Sequence, residues 1–258
     1  MRELHCEDRI GLAFEGISRE GTVRHVFTTR DREGGGNVSL SGGRDQDAAR
    51  KERAFWSEQL GLSAADWVVG GQVHGANIAV VDEAERGRGA LDPSAVIPDT
   101  DGLITQRAGL PLYVAVADCA PVLIHAAGPT PTLGVFHAGW RGLAAEILQA
   151  GVEKLAQLSG GDPSEFHAGI GPCIGLTHFE VGEEVAEAAP EARRVRFGER
   201  WHVDLAGWAH DQLQAAGLRL GNMEVSGLDT AELPRLFFSH RRDGEAAGRM
   251  GLIAALEA

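Results

Sequence analysis

Two histidines and one cysteine stand out because each lies beside a glycine-containing turn at the end of an apolar run. His74 lies in the turn Gly-Gly-Gln-Val-His-Gly, Cys119 follows the apolar run 112–117, and His137 follows the run 132–136. Imidazole and thiolate groups are ligands that zinc prefers, and three protein ligands with a free fourth position are typical of catalytic zinc. The spacings match neither a zinc finger nor a zinc ribbon. The three residues therefore indicate a catalytic metal site, and copper accepts the same ligands.

Two other interpretations use the same three residues. A cysteine next to a histidine can act as a nucleophile with its general base, without any metal. Isolated cysteines and histidines are also commonly structural, with the thiol packed as a small apolar group. The spacing alone leaves all three interpretations open. A further thiol, Cys173 in Gly-Ile-Gly-Pro-Cys-Ile-Gly, is expected to be packed in the core.

Three arginines are candidates for binding an anion. Arg141 lies in His-Ala-Gly-Trp-Arg-Gly, which leads into a helical pattern, and the start of a helix attracts anions. Its guanidinium matches the geometry of phosphate or carboxylate. Arg30 and Arg242 follow other strand-like runs and are further phosphate candidates, and Asn37 is a polar candidate in a glycine-rich loop. The turn around Arg141 is neither a Walker loop nor a dinucleotide fingerprint. At each arginine the alternative is an ordinary solvated side chain.

The elements that must position these residues follow from alternating apolar and helical patterns. Near-continuous apolar runs, such as 112–117 and 122–125, are typical of strands buried on both faces. We predict strands at 22–27, 67–69, 78–81, 102–105, 112–117, 122–125, 132–136, 166–170, 201–204, 223–225 and 236–238, and helices at 45–60, from 143, at 179–189 and at 205–216. The alternation predicts an α/β (α+β) layered sandwich with mixed sheets flanked by helices. Without a repeat or a linker, the whole chain, residues 1–258, is expected to be one domain.

Composition excludes several classes of protein. The 24 basic and 37 acidic residues give a net charge of −13, which is unsuited to binding a nucleic-acid backbone. The longest apolar stretch, 112–127, is interrupted by Asp118, Pro121 and His125, so no membrane span is expected. Three widely spaced cysteines form no disulfide framework, and the first residues lack the apolar segment of a signal peptide. We therefore expect a cytoplasmic location. The 35 glycines, about twice the usual share, are expected at turns.

Seven segments together resemble the multicopper polyphenol oxidase (laccase-domain) family, also called the YfiH-like family. They follow the family's order over nearly the whole chain and comprise residues 27–30, 71–75, 99–105, 116–122, 137–142, 169–175 and 237–244. The resemblance implies that His74, Cys119 and His137 are zinc ligands. It also implies that Asn37 keeps the family's asparagine, although the loop before it, residues 31–36, is shorter than is usual in the family.

The resemblance implies a purine nucleoside phosphorylase that acts on adenosine, inosine, guanosine and methylthioadenosine, and that also deaminates adenosine. Its partners would be a purine nucleoside and phosphate, and the chain would be a monomer or a homodimer. Asp118, beside Cys119, is the nearest carboxylate in sequence for proton transfer, and Arg30, Arg141 and Arg242 are the phosphate candidates. Three alternatives remain: an amidase that edits peptidoglycan precursors, a laccase-like copper oxidase, and a metal-storing or partner-binding protein without catalysis.

Overall fold

A computed structural model describes residues 1–30 and 35–257, which form fifteen β-strands and seven α-helices. The strands are β1 (Arg2–Cys6), β2 (Arg9–Ala13), β3 (Val23–Thr28), β4 (Val68–Val69), β5 (Ile78–Val80), β6 (Gly102–Thr105), β7 (Leu112–Val116), β8 (Ala120–Ala126), β9 (Thr132–Ala138), β10 (His167–Ile170), β11 (Glu180–Val181), β12 (Arg194–Phe197), β13 (Arg200–Val203), β14 (Met223–Val225) and β15 (Met250–Leu256). The helices are α1 (Glu15–Glu20), α2 (Gln46–Gln59), α3 (Trp140–Ala144), α4 (Ile147–Ser159), α5 (Glu183–Ala188), α6 (Leu205–Ala215) and α7 (His240–Asp243).

The strands form two six-stranded sheets and one small sheet. The first has the order β1-β2-β3-β15-β7-β4, and the second has the order β14-β10-β8-β9-β6-β5. Both are mixed, because β4 pairs in parallel with β7, β5 with β6 and β10 with β14, while the other pairs are antiparallel. The third sheet, β11-β13-β12, is antiparallel.

The two large sheets and the helices stack in layers around three apolar cores. One core lies between the sheets and joins Val114 of β7 to Leu123 and Val135 of β8 and β9. A second lies between the second sheet and helices α4 and α6. A third lies on the outer face of the first sheet, where Trp56 of α2 packs near Tyr113 of β7. Successive side chains of a strand point to opposite faces, so β7 is buried on both. The predicted layered sandwich with mixed sheets and flanking helices is confirmed.

Most predicted elements occur within one or two residues of their expected bounds, and three differ. The helix expected from residue 143 begins at Trp140 and is divided into α3 and α4 by Glu146, whose φ of 58° is left-handed. Residues 236–238 form no strand; Phe237 is fully buried by packing without joining a sheet. Residues 179–189 begin as strand β11, so that α5 starts only at Glu183.

Strands β1, β2, β12 and β15 were not predicted. Most of the shortened loop, residues 31–34, lies outside the described residues. Across residues 1–30 and 35–257, no helix has the length and the apolar run required to cross a bilayer.

The candidate ligands lie where the chain crosses from one large sheet to the other. Strand β7 belongs to the first sheet and β8 to the second, and Cys119 lies in the connection between them. Strand β9 pairs with β8 so that His137 lies opposite Pro121, two residues beyond Cys119. The thiol and this imidazole are therefore brought together by sheet register, and the third candidate, His74, lies in the loop between β4 and β5.

Candidate metal centre

The structure brings His74, Cys119 and His137 together, with one potential donor atom of each within 4.8 Å of the others. The two imidazole rings are 4.9 Å apart between centroids and meet edge to face at 73°. His137 is buried, Cys119 is partly buried and His74 is exposed, so the cluster is open on one side. In residues 1–30 and 35–257 it is the one group of three or more such side chains close enough to share an ion. These residues fit one metal ion, whereas a reaction on several coppers requires further sites.

Asp101 holds two of the three candidate ligands in place. Its Oδ1 accepts hydrogen bonds from the backbone N–H of His74 at 3.0 Å and from His137 Nδ1 at 2.7 Å. Its Oδ2 accepts from the backbone N–H groups of Val73 at 3.1 Å and Gly75 at 2.9 Å. With Nδ1 occupied as a donor, Nε2 of His137 lies toward Cys119, and it carries the lone pair when the ring is neutral. A carboxylate behind a metal-binding histidine fixes its tautomer and orientation in this way.

Two further features shape the centre around the ligands. Gln72 binds the backbone of Ala115 with both ends of its amide, at 2.8 Å each, and so fastens the His74 loop to β7. Gly139 leaves space beside the sulfur: a Cβ atom there would lie 3.0 Å from Cys119 Sγ and 3.4 Å from His74 Cδ2. The donor set and the space kept by this glycine both suit a bound ion.

The protonation of the cluster favours metal binding by the thiol. Burial by itself raises the pKa of Cys119, but the imidazoles of His137 and His74 outweigh it and hold that pKa below its ordinary value. Burial lowers the pKa of His137, and the neighbouring Cys119 and Asp101 charges outweigh this and raise it. Burial raises the pKa of Asp101, yet its hydrogen bonds, first from His137, keep it below the usual value. The thiolate is the form that binds metal and the form that acts as a nucleophile.

A cavity of about 890 Å³ opens beside the three candidate ligands. Its volume lies in the range of sites for small organic ligands. Aromatic side chains line it at Trp140, Phe179 and Tyr113, and arginine side chains line it at Arg53, Arg141, Arg241 and Arg249. The wall thus combines apolar rings with positive charge.

The three predicted phosphate arginines occupy different environments. Arg141 lines the cavity, is exposed, and stacks on Trp140 with its guanidinium carbon 4.3 Å from a ring centroid. Its helix, α3, has only five residues, so an anion there would depend on the side chain more than on a helix dipole. Arg242 lies outside the cavity wall; it pairs with Asp243 through two nitrogens and donates to three backbone carbonyls. Its neighbour Arg241 lines the cavity instead.

Arg30 also lies outside the cavity wall, where it donates to the Pro234 carbonyl at 3.3 Å and lies over the ring of Phe238. Asn37 is likewise outside the wall: its side chain binds the backbone of Ser39 and accepts from Arg249 N–H at 2.9 Å. Both residues contact structural neighbours, and their roles in binding substrate stay predictions.

Asp118 lines the cavity beside Cys119, but both of its carboxylate oxygens are engaged. Oδ1 accepts from the Thr230 hydroxyl at 2.7 Å, and Oδ2 accepts from the backbone N–H of Arg241 at 2.7 Å. Its φ of 104° is left-handed. The carboxylate thereby joins the turn before β8 to the segment that carries Arg241. Cys173 is buried in the core, as expected, and burial raises its pKa.

Sequence reasoning missed Asp101 as a residue that holds the ligands, and it missed Arg53, Arg249 and Tyr113 in the cavity wall. Asp101 carried one signal, an acidic side chain immediately before the predicted strand 102–105. In the structure the start of that strand pairs antiparallel with the end of β9, which carries His137. Arg53 carried none, since an arginine within a helical pattern is usually solvated.

Fold and site together define a class of protein: a layered α/β sandwich whose connecting loops bring one His-Cys-His donor set to an open cavity. Residues 21–257 match the family model described as multi-copper polyphenol oxidoreductase laccase. The chain belongs to this family.

Curated relatives and solved structures agree with this assignment. The chain is 33% identical to purine nucleoside phosphorylase YlmD of Geobacillus stearothermophilus, over 92% of this chain and 89% of that protein. It is 31% identical to adenosine deaminase RL5 of an unknown prokaryotic organism, over 91% of this chain and 92% of the other. The crystal structure of Bacillus licheniformis protein YfiH superposes with a TM-score of 0.91 at 28% identity, covering 99% of both chains. The relatives named as enzymes support an enzymatic function.

Proposed function

We propose that the chain is a zinc-dependent purine nucleoside phosphorylase that also deaminates adenosine. The observation that carries the proposal is the His74, Cys119 and His137 cluster at the wall of an 890 Å³ cavity lined by aromatic and arginine side chains. The names of relatives over about nine-tenths of both chains support the same reaction class. Adenosine, inosine, guanosine and methylthioadenosine are the proposed nucleosides.

In this proposal His74, Cys119 and His137 hold the metal, and Asp101 orients them. When bound, zinc supplies Lewis-acid stabilisation of negative charge that develops on a reacting group. The chain's own residues supply position and electrostatics, which carry most of the rate in reactions of this kind. Trp140 and Phe179 offer ring faces against which a purine can stack.

Phosphorolysis requires a phosphate oxygen to form a bond to ribose C1′ while the C1′–N9 bond breaks. The bonding electron pair leaves with the purine, which then takes up a proton. Arg141 and Arg241 are exposed on the cavity wall, where their charges can attract phosphate from solvent. Neither forms an ion pair with a carboxylate in the described parts of the chain, so both charges are available.

Deamination of adenosine replaces the amino group at purine C6 with oxygen from water and releases ammonia. The relative named adenosine deaminase favours this second activity. For Asp118 we propose proton transfer, and its bonds to the Thr230 hydroxyl and the Arg241 backbone N–H hold the carboxylate in place, since each oxygen keeps a further lone pair.

The test is to incubate the zinc-loaded protein with adenosine, with and without phosphate, and to separate the products by chromatography. We expect adenine and ribose 1-phosphate only with phosphate, and inosine under both conditions. His74→Ala should abolish both. His178→Ala is the matched control, because this exposed histidine is bound to Asp229 outside the cavity wall and should leave both activities intact. Failure of the wild-type protein to form any of the three products would refute the proposal.

A further inference from the structure

Arg53 places a buried positive charge in the cavity wall without a carboxylate partner. It lies on α2, is 2% exposed, and lines the cavity. Its hydrogen bonds in the described chain go to the backbone carbonyls of Val38, Gly89 and Ala90. Burial lowers its pKa, as expected of a desolvated cation. Buried charges are normally paired, so this guanidinium leaves positive charge uncompensated.

Arg249 adds a second guanidinium of the same kind to this wall. It is half-buried and donates to the carbonyls of Ala247 and Gly248. Burial and then the nearby charge of Arg44 lower its pKa. Arg44 itself donates only to backbone carbonyls within the part of the chain that the structure describes.

No acidic residue in the described ranges forms an ion pair with these arginines. The cavity wall contains Asp99, Asp118 and Glu245, and no carboxylate oxygen in the described ranges lies within ion-pair distance of Arg44, Arg53 or Arg249. In a chain of net charge −13, this local excess of positive charge requires a physical explanation.

The Tyr113 hydroxyl is an unpaired donor in the same wall. It is 1% exposed and lines the cavity, and its oxygen lies close to the Arg53 guanidinium, but its O–H has no acceptor among the described residues. Burial raises the pKa of Tyr113, with Arg53 opposing, so the hydroxyl keeps its proton and can donate. The Arg53 guanidinium lies over its ring, 5.0 Å from the centroid. Unpaired buried hydroxyls are rare in folded proteins, and a ligand oxygen is one explanation.

We infer that Arg53, Arg249 and Tyr113 form a subsite for the oxygens of a phosphate group. Guanidinium groups and a neutral hydroxyl can all donate hydrogen bonds to the oxygens of a tetrahedral anion. The inference rests on the proposed function, because phosphorolysis consumes free phosphate. Tyr113 lies about 10 Å along β7 from Val116, and Cys119 follows three residues later, so the subsite is separate from the metal donors. A nucleoside between them would have its ribose toward the phosphate and its purine toward the metal.

The test is calorimetric titration of sodium phosphate into the zinc-loaded protein, with Tyr113→Phe and Arg249→Met as variants. Neither residue contacts a metal donor, so zinc content and the melting curve serve as checks of folding. We expect Tyr113→Phe to weaken phosphate binding about tenfold, the effect of one hydrogen bond to a charged group, and Arg249→Met to weaken it more. Arg19→Met removes the same charge from an exposed position on α1 outside the cavity wall and should leave binding within twofold.

Three binding results would overturn the subsite. One is wild-type affinity for phosphate in both Tyr113→Phe and Arg249→Met. Another is phosphate binding that disappears on removal of zinc or in Arg141→Ala while Tyr113→Phe is unaffected, which would place the anion elsewhere. No binding by the wild-type protein of either phosphate or a nucleoside 5′-monophosphate would also refute it.

The remaining results separate the subsite from the proposed function. If phosphate binding depends on Tyr113 but no nucleoside is turned over, the subsite is supported and the phosphorylase activity is refuted. If a nucleoside 5′-monophosphate binds in a Tyr113-dependent way and free phosphate does not bind, the subsite is supported and its ligand is a nucleotide. If nucleosides are turned over and the KM for phosphate is unchanged in Tyr113→Phe and Arg249→Met, the phosphorylase activity is supported and the subsite is refuted.

Discussion

Replacing Asp101 with asparagine changes one atom of the carboxylate, yet it should disable the metal centre. The carboxylate accepts four hydrogen bonds, from three successive backbone N–H groups and from His137. An asparagine offers one acceptor oxygen, so in either orientation of the amide two of the four donors face an NH₂ group. If that group faces His137, the imidazole must turn Nδ1 into an acceptor and place its proton on Nε2, where the metal would bind.

The structure sets the size of this effect. A hydrogen bond to a charged group contributes about 1.5–3 kcal/mol, so the loss of two such bonds should cost roughly 3 kcal/mol or more. Part of that loss destabilises the fold, and part appears as weaker metal binding. Loss of a carboxylate behind a metal-binding histidine typically lowers metal affinity about 10- to 100-fold. We expect Asp101→Asn to fall in that range.

The assay is zinc affinity measured by competition with a chromogenic chelator, together with urea unfolding of the metal-free protein. Asp229→Asn is the matched control. Asp229 also accepts from a histidine, His178 at 2.6 Å, and from a backbone N–H, that of Ala231 at 2.9 Å, but neither it nor His178 lines the cavity. Both variants should lose stability, and only Asp101→Asn should lose zinc affinity. Equal zinc affinities in the two variants and the wild type would refute the positioning role of Asp101.

Three further predictions concern single contacts. Gly139→Ala should weaken zinc binding about fivefold to tenfold in the same chelator assay, because its Cβ, 3.0 Å from Cys119 Sγ, forces that side chain off its rotamer at a cost of about 1 kcal/mol. Tyr113→Phe should keep or raise the free energy of unfolding in urea, by about 1 kcal/mol, because it removes an unpaired buried hydroxyl; a clear loss of stability would contradict this. His25 accepts the Phe14 N–H at 2.9 Å, and burial lowers its pKa to about 4. The unfolded chain therefore binds the proton more readily, so about 3 kcal/mol of stability present above pH 6.5 should be lost as pH falls toward 4. His25→Gln should show a correspondingly smaller loss in urea unfolding at pH 7 and pH 4.5, and an unchanged pH dependence would contradict the assignment.

The clustering of His74, Cys119 and His137 could be predicted from sequence, because the residue types and their positions after apolar runs point to the same place in the fold. Imidazole and thiol groups at the ends of apolar runs indicate strand ends, and β7, β8 and β9 do meet there. Asp101 was missed because most of its partners are backbone amides. Hydrogen bonds to the backbone leave no pattern of side-chain types in the sequence.

The arginines show where sequence patterns fail. Arg241 and Arg242 are adjacent, and which of them faces the cavity depends on the start of α7. There the Ser239 side chain accepts from the Arg242 backbone N–H and Asp118 from that of Arg241, contacts that form only in three dimensions. Arg53 is on a helix that looks solvated in sequence, but carbonyls of residues 89 and 90 cover it. Such burial depends on long-range packing.

The strands missed at both ends of the chain have a similar cause. Strand β15 joins β3 to β7, so its apolar run, Met250–Leu256, is explained only by partners far away in sequence. The run 236–238 is equally apolar and forms no strand, because packing alone satisfies its side chains. A hydrophobic pattern therefore indicates burial but cannot distinguish a strand from a buried loop.

The most direct test of the central claim is a zinc titration of the metal-free protein, with phosphate-dependent release of adenine from adenosine as the readout. One His-Cys-His centre predicts that activity rises linearly and reaches a plateau at one zinc per chain. Cys119→Ser should show neither tight zinc binding nor adenine release. Full activity in the metal-free protein, or a plateau that requires several metal ions per chain, would contradict the account.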